Sequence, residues 1–272
     1  MNGDKKSKQR LDVLLVKNKL IATRSRAKTE IMAGNVYVNG VLKDKPGEMF
    51  SPDVNVKLSA IKNPYVSRGG LKLKHAIKEF ALDLTGKIVL DIGASTGGFT
   101  HCALEHGATK VYALDVGYGQ LAWELRNDAR VVTMERTNVR YIKREDFPEQ
   151  PHLATIDVSF ISLSKVLPVV ASLDICEVVC LVKPQFEALP AQVGKKGVVK
   201  DKNVHEKVLT NVAKVALDLF YAIKGSTYSP LKGPQGNIEY FLYLTKQNAI
   251  EKCKLSKISI KDVISRAHSS LR

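Results

Sequence analysis

The sequence predicts an α/β protein: a doubly wound, mostly parallel sheet preceded by a small α+β module. Three observations carry this prediction. Apolar, β-prone runs alternate with amphipathic helical patterns from residue 67 to residue 246. A glycine-rich turn, D-I-G-A-S-T-G-G-F at 91–99, follows the apolar run I-V-L at 88–90 and leads into T-H-C-A-L-E, which reads as a helix. The first 60 residues differ from the rest in element length and in charge.

Residues 1–60 read as one compact unit. R-L-D-V-L-L-V at 10–16 begins a helix with Leu11, Leu14 and Leu15 on one face. A second helix over 23–34 starts at Thr23 as N-cap and stops at Gly34. The strand V-Y-V-N-G-V at 36–41 contains Asn39-Gly40, a hairpin turn signal. Arg24, Arg26 and Lys28 lie at the start of the second helix, where free backbone N–H groups also favour phosphate. Asp12 is expected to order the first helical turn. Residues 61–66 form a linker in which Pro64 biases Asn63 towards extended geometry.

Residues 67–246 are expected to form the larger domain. Helices are predicted at 67–80, 98–106, 161–172 and 203–219, and strands at 88–93, 111–116, 130–135, 153–158, 177–182 and 237–245. Residues 247–272 form a basic, amphipathic tail expected to be helical. Within the glycine turn, Gly93, Gly97 and Gly98 lack Cβ atoms, so the backbone can turn sharply and approach a ligand. Asp115 ends the second strand, where an acid would hold ribose hydroxyls. Asp91, at the loop mouth, would repel a pyrophosphate but suits a cofactor with a cationic amino-acid end.

Composition narrows the function. Two domains are a reasonable reading of 272 residues, and 44% hydrophobic content supports a packed core. The most apolar stretch, 166–182, is interrupted by Pro168, Asp174 and Glu177, and no signal peptide is visible. Cys102, Cys176, Cys180 and Cys253 show no metal-ligand spacing; buried thiols in a reducing, cytoplasmic compartment are the plain reading. The formal net charge is +15, of which residues 1–62 carry +7, so the first segment reads as a module facing nucleic acid.

The glycine loop with Asp91 and Asp115 resembles the first motif of S-adenosylmethionine-dependent methyltransferases with a Rossmann-like fold. That resemblance implies a cofactor site of Asp91, Gly93, Ala94, Ser95, Thr96, Gly97, Gly98 and Asp115, with Asn138 of T-N-V-R placed against the adenine. The first module resembles the small S-four RNA-binding domain through Arg10-Leu11-Asp12, Ser25-Arg26-Ala27, Ile31, Gly34, Val36, Val38 and Asn39-Gly40. Lys72, Asp157, Lys183 and Glu239 occur in the order of the catalytic tetrad of FtsJ-like ribose 2′-O-methyltransferases. With the phrases Y-V-S-R-G-G-L-K-L, D-V-S-F-I-S-L and V-K-P-Q-F-E, the chain is similar to the TlyA family, called hemolysins in some usage. The resemblance implies methylation of a cytidine in large-subunit, and in some members small-subunit, ribosomal RNA, with no metal and no membrane. It also implies an RNA-binding set of Arg10, Arg24, Arg26, Lys28 and Arg68.

The chemistry suits these residues. A ribose hydroxyl is a poor nucleophile, whereas a sulfonium methyl is already activated, so the enzyme must orient the oxygen and ease its proton away. Lys183, with its ammonium pKa depressed, is the expected proton acceptor, and Lys72 the second cation. Asp157 and Glu239 would orient the lysines. Two other readings stand beside this one: an RNA-binding assembly factor without turnover, and a pore-forming cytolysin, for which no spanning pattern appears.

Overall fold

The computed structural model describes residues 7–60, 63–247 and 260–271. The chain divides into two compact units between Leu71 and Lys72.

In the first unit, strand β1 (Gln9–Arg10) leads into helix α1 (Leu11–Lys17), and helix α2 (Arg24–Met32) follows. The Thr23 hydroxyl accepts the Arg26 N–H at 3.2 Å, satisfying an otherwise orphan donor at the start of α2. Beyond the last helical residue the chain reverses at Gly34, whose φ of +78° suits a residue without Cβ. Strands β2 (Val36–Val38) and β3 (Val41–Lys43) form a hairpin, and Asn39 and Gly40 both take positive φ, as a type I′ turn requires. The region predicted as one strand is therefore two strands and their turn. Strand β4 (Met49–Phe50) pairs with β1, and β5 (Val56–Leu58) completes the sheet β3-β2-β5. Leu11, Leu15, Ile21, Ala27, Ile31, Val36 and Val38 make the core.

Asp12 does more than order a turn. Its fully buried carboxylate accepts from Arg10 through both oxygens and from Arg24 at 3.0 Å, joining β1, α1 and α2. Burial would raise its pKa, but the two guanidinium groups outweigh that effect and hold it below the usual carboxylate range.

Helix α3 (Arg68–Phe80) precedes strand β6 (Ile88–Ile92), helix α4 (Gly98–Glu105) and strand β7 (Lys110–Leu114). Helix α5 (Trp123–Arg126), strand β8 (Val131–Met134), strand β9 (Leu153–Ile156), helix α6 (Leu163–Ser172) and strand β10 (Glu177–Val182) follow. Helix α7 (Pro184–Glu187), helix α8 (Lys202–Asp218), strands β11 (Tyr221–Tyr228) and β12 (Tyr240–Lys246), and helix α9 (Ile260–Ser270) complete the second unit.

Seven strands form one sheet in the order β11-β12-β10-β9-β6-β7-β8. Strands β6 to β10 are mutually parallel, and β12 lies antiparallel between β10 and β11, as expected for the last strand. Every residue of β9 is buried, which explains its continuous apolar reading: a central parallel strand is covered on both faces.

Strand β11 was not expected. Its sequence Y-A-I-K-G-S-T-Y lacks clean alternation because a bulge shifts the register between Ile223 and Gly225. The bulge leaves Lys224 exposed and puts Gly225 against Phe80, whose Cδ1 would lie 2.5 Å from any added Cβ. The predicted tail helix is α9, which buries Val263, Ile264 and Ala267; the stretch 248–259 lies outside the described residues.

Candidate active site

Strand register builds the site. Ile92 of β6 pairs with Ile156 of β9, so Gly93 and Asp157 leave adjacent strand ends side by side. The contact is close: a Cβ on Gly93 would lie 2.5 Å from the Asp157 carbonyl oxygen, and φ is +86°. Val182 pairs with Tyr240 in antiparallel sense, which puts Lys183 and Glu239 opposite one another just beyond the ladder. Residues far apart in sequence thus meet at the carboxyl edge of the parallel strands, the usual place for ligands in such sheets.

All four members of the expected tetrad come together there as two ion pairs. Lys183 Nζ lies 2.6 Å from Asp157 Oδ1 and donates to Ser159 Oγ at 3.1 Å. Lys72 Nζ donates to Glu239 Oε2 at 2.6 Å, and the Glu239 side chain is completely buried. Two positive and two negative groups alternate, so the set is formally neutral.

The electrostatics correct one expectation. Burial disfavours the Lys183 ammonium, but Asp157 and Glu239 outweigh it and hold the group above the ordinary lysine value. Burial likewise pushes Asp157 up, while Lys183 and Lys72 more than reverse the effect and keep it below the usual carboxylate range. Lys183 is therefore a held cation rather than a lysine with a depressed pKa. The field of neighbouring carboxylates wins over desolvation.

The glycine loop joins the same edge. Gly97 takes φ of +95° and faces Leu125, whose Cδ1 would lie 2.3 Å from an added Cβ. Gly98 then opens α4. Ala94 is buried; Ser95 is exposed, with its own φ positive at 49°. Asp115 ties the loop down: Oδ2 accepts Ser95 N–H at 2.8 Å and Oδ1 accepts Gly117 N–H at 2.7 Å. Each carboxylate oxygen keeps acceptor capacity beyond its one backbone partner. Thr96 offers its carbonyl to Ala122 N–H at 3.1 Å, linking the loop to the segment before α5.

One cofactor candidate sits differently from expectation. Asp91 does not stand open at the loop mouth. It is 1% exposed within β6, and its carboxylate accepts from Thr100 at 2.7 Å and Thr155 at 3.0 Å. Burial pushes its pKa up to about 7 despite those two hydroxyls. Asn138 uses its carboxamide oxygen to cap the short turn that follows, accepting Arg140 N–H at 3.1 Å.

Among the candidate RNA contacts, Arg26 and Lys28 are exposed on α2. Arg10 and Arg24 are committed to Asp12 while remaining 41% and 54% exposed. Arg68 pairs with Asp44 at 2.8 Å and lies against Gly34, so it also braces the first unit.

Several features of this edge escaped the sequence reading. Phe160 is 90% exposed beside the tetrad with φ of +62°, a strained backbone state for a bulky residue, and its ring meets Phe186 at 4.9 Å. Gln185 donates to Glu239 Oε1 at 3.2 Å. Glu187 accepts from Ser162 Oγ at 2.6 Å and Leu163 N–H at 2.7 Å, capping α6. The only sequence signal for the last two is their place beside Lys183 in V-K-P-Q-F-E.

No group of three or more metal-ligating side chains occurs among the described residues, and no helix there is long and apolar enough to cross a membrane.

Comparison with known proteins matches residues 65–246 to the FtsJ-like methyltransferase family and residues 9–56 to the S4 domain. A Bacillus subtilis protein provisionally named as the rRNA methyltransferase YqxC is 49% identical over 97% of this chain and 96% of its own. The 16S/23S rRNA (cytidine-2′-O)-methyltransferase TlyA of Mycobacterium tuberculosis is 43% identical, covering 96% of this chain and 97% of its own. A solved structure provisionally named as a hemolysin from Streptococcus thermophilus is 46% identical with a TM-score of 0.77, covering 97% of each chain.

Proposed function

The chain belongs to the FtsJ-like methyltransferases of the TlyA type, and from that premise we propose that it transfers a methyl group to a ribose 2′-hydroxyl of ribosomal RNA. The target base is a cytidine, the substrate named for TlyA. One observation carries the reading: two lysine–carboxylate pairs at 2.6 Å share the strand edge that also bears the glycine loop.

S-adenosylmethionine, when bound, supplies an electrophilic methyl whose bond pair to sulfur stays on the sulfur. The loop 93–98 would hold the methionine end of that donor: at Gly93 its backbone is drawn close to Asp157 at the end of β9. Asp115, with free acceptor capacity at the end of β7, would hold the ribose hydroxyls. Asp91 would act through the loop by tying β6, α4 and β9 together.

The lysines then act as donors. Two ammonium groups beside the substrate oxygen stabilise negative charge developing on it and lower the pKa of the hydroxyl. The oxygen contributes a lone pair to the new O–C bond, and its proton passes to solvent once that bond has formed. Asp157 and Glu239 hold the lysines and cancel their charge, so a cationic donor is not repelled from the site. The exposed ring of Phe160 offers a face on which a nucleobase would stack.

Transfer of labelled methyl from S-adenosylmethionine to unmethylated ribosomal subunits tests the reading. Lys183→Ala is expected to lower kcat by about a hundredfold or more while RNA affinity stays near that of the wild type. Because the Lys183–Asp157 pair keeps both charges through the neutral range, the kcat profile is expected to show no inflection from this pair between about pH 5 and 9. An acid limb near neutrality that vanished in Lys183→Arg would restore the general-base reading. An assembly factor without turnover predicts no transfer at all, and a cytolysin predicts dye release from liposomes.

A further inference from the structure

We infer that Gln185 is a substrate-positioning residue: its carboxamide oxygen accepts the hydrogen bond of the 2′-hydroxyl that Lys183 and Lys72 address. The inference rests on the proposed ribose methylation and extends it to a residue outside the tetrad.

The argument begins with the orientation of the amide. Glu239 Oε1 faces the Gln185 side chain at 3.2 Å, and a carboxylate oxygen can only accept, so the nitrogen must point towards it. That fixes the oxygen Oε1 on the other side. There it is buried and has no hydrogen-bond partner. Buried acceptors in folded proteins are almost always satisfied, and those that are not call for a ligand or another explanation.

Rotation of the side chain offers no escape. Turning the amide over would set two oxygens against one another, and Glu239 itself cannot move away. Its other oxygen is held by Lys72 at 2.6 Å, and it is pressed so closely on Gly233 that a Cβ there would lie 2.1 Å from Oε1. Gln185 sits on α7, two residues after Lys183, and its nitrogen is bonded to the same Glu239 carboxylate that holds Lys72.

The chemistry of the substrate supplies what is missing. A hydroxyl that attacks with one lone pair can receive a lysine hydrogen bond on the other, and it needs an acceptor for its own O–H. Lysines have none to give. Asp157 is engaged by Lys183, and Glu239 by Lys72 and Gln185. Among these groups the Gln185 oxygen is the uncharged buried acceptor that has no hydrogen-bond partner. Directing the O–H at it leaves one lone pair of the substrate oxygen free to face the methyl group, and geometry of this kind governs rate in a displacement that needs little proton chemistry.

The test compares two RNAs in the presence of S-adenosylhomocysteine: a synthetic RNA carrying the site that the wild type methylates, and the same RNA with 2′-deoxycytidine at that site. Gln185→Met keeps the length of the side chain and removes both polar groups; Gln185→Ala is the second variant should the thioether crowd the site. Melting temperature and S-adenosylhomocysteine uptake verify the fold. The expected result is about tenfold weaker binding of the ribose form, the worth of one hydrogen bond, with binding of the deoxy form unchanged. The variants are expected to lose kcat on the ribose form. Equal loss on both RNAs would overturn the inference and mark Gln185 as a contact to the base or a brace for Glu239. Unchanged binding and turnover would overturn it as well. Failure of the wild type itself to methylate ribose would remove the proposed function, and this inference with it.

Discussion

Asp91 shows how far a single carboxyl can depart from the role its position suggests. Two threonine hydroxyls occupy it inside the sheet, and burial pushes its pKa up to about 7 from an ordinary value of 3.8. The sign of the consequence is definite. Between those two values the folded protein retains a proton that the unfolded chain releases, so the contribution of this group to stability falls as pH rises from about 4 to about 7. Asp91→Asn, which cannot ionise, is expected to flatten that part of the dependence. Melting temperatures of both proteins measured across the window decide the matter; parallel curves would show that Asp91 ionises as freely in the fold as outside it. Asp12 is the opposite case, buried yet held anionic by two arginines, because its partners carry charge and those of Asp91 do not.

At the scale of elements, the sheet edge is where local sequence and tertiary context part. Strand β11 depends on a bulge and on Gly225, into whose missing side chain the Phe80 ring of α3 fits. Gly225→Val is a favourable change by strand propensity, yet it would place a branched side chain where even a Cβ meets Phe80 at 2.5 Å. It is expected to cost about 1–3 kcal/mol, the usual range for overpacking, seen as a lower midpoint in urea. Lys224→Thr, at the exposed neighbouring position, is expected to change that midpoint little. A Gly225→Val protein as stable as the wild type would mean that packing of α3 on the edge strand contributes little to the fold.

Across the whole molecule, charge and architecture divide the tasks. A net +15 draws the chain to a polyanion without specifying which one, and affinity of that kind falls with salt. Arg26 and Lys28 are exposed on α2, so Arg26→Glu with Lys28→Glu is expected to make log K less steep against log salt, by about one for each phosphate these two side chains neutralise. Filter-binding titrations from low to high salt measure it, and an unchanged slope would remove α2 from the RNA-facing surface. The sequence by itself determined the alternation of strands and helices, the glycine loop, the two modules and the order of the four charged residues. Each of those is local: it is written in periodicity, in missing Cβ atoms and in neighbouring residues. Only the tertiary structure decided that Asp91 is sealed between threonines, that Lys183 keeps its proton, and that Gln185 turns its nitrogen to Glu239 and leaves an oxygen waiting. Protonation and hydrogen-bond direction depend on which side chains a fold brings within a few ångströms. Here those neighbours come from strands and helices that the chain separates by as many as 167 positions.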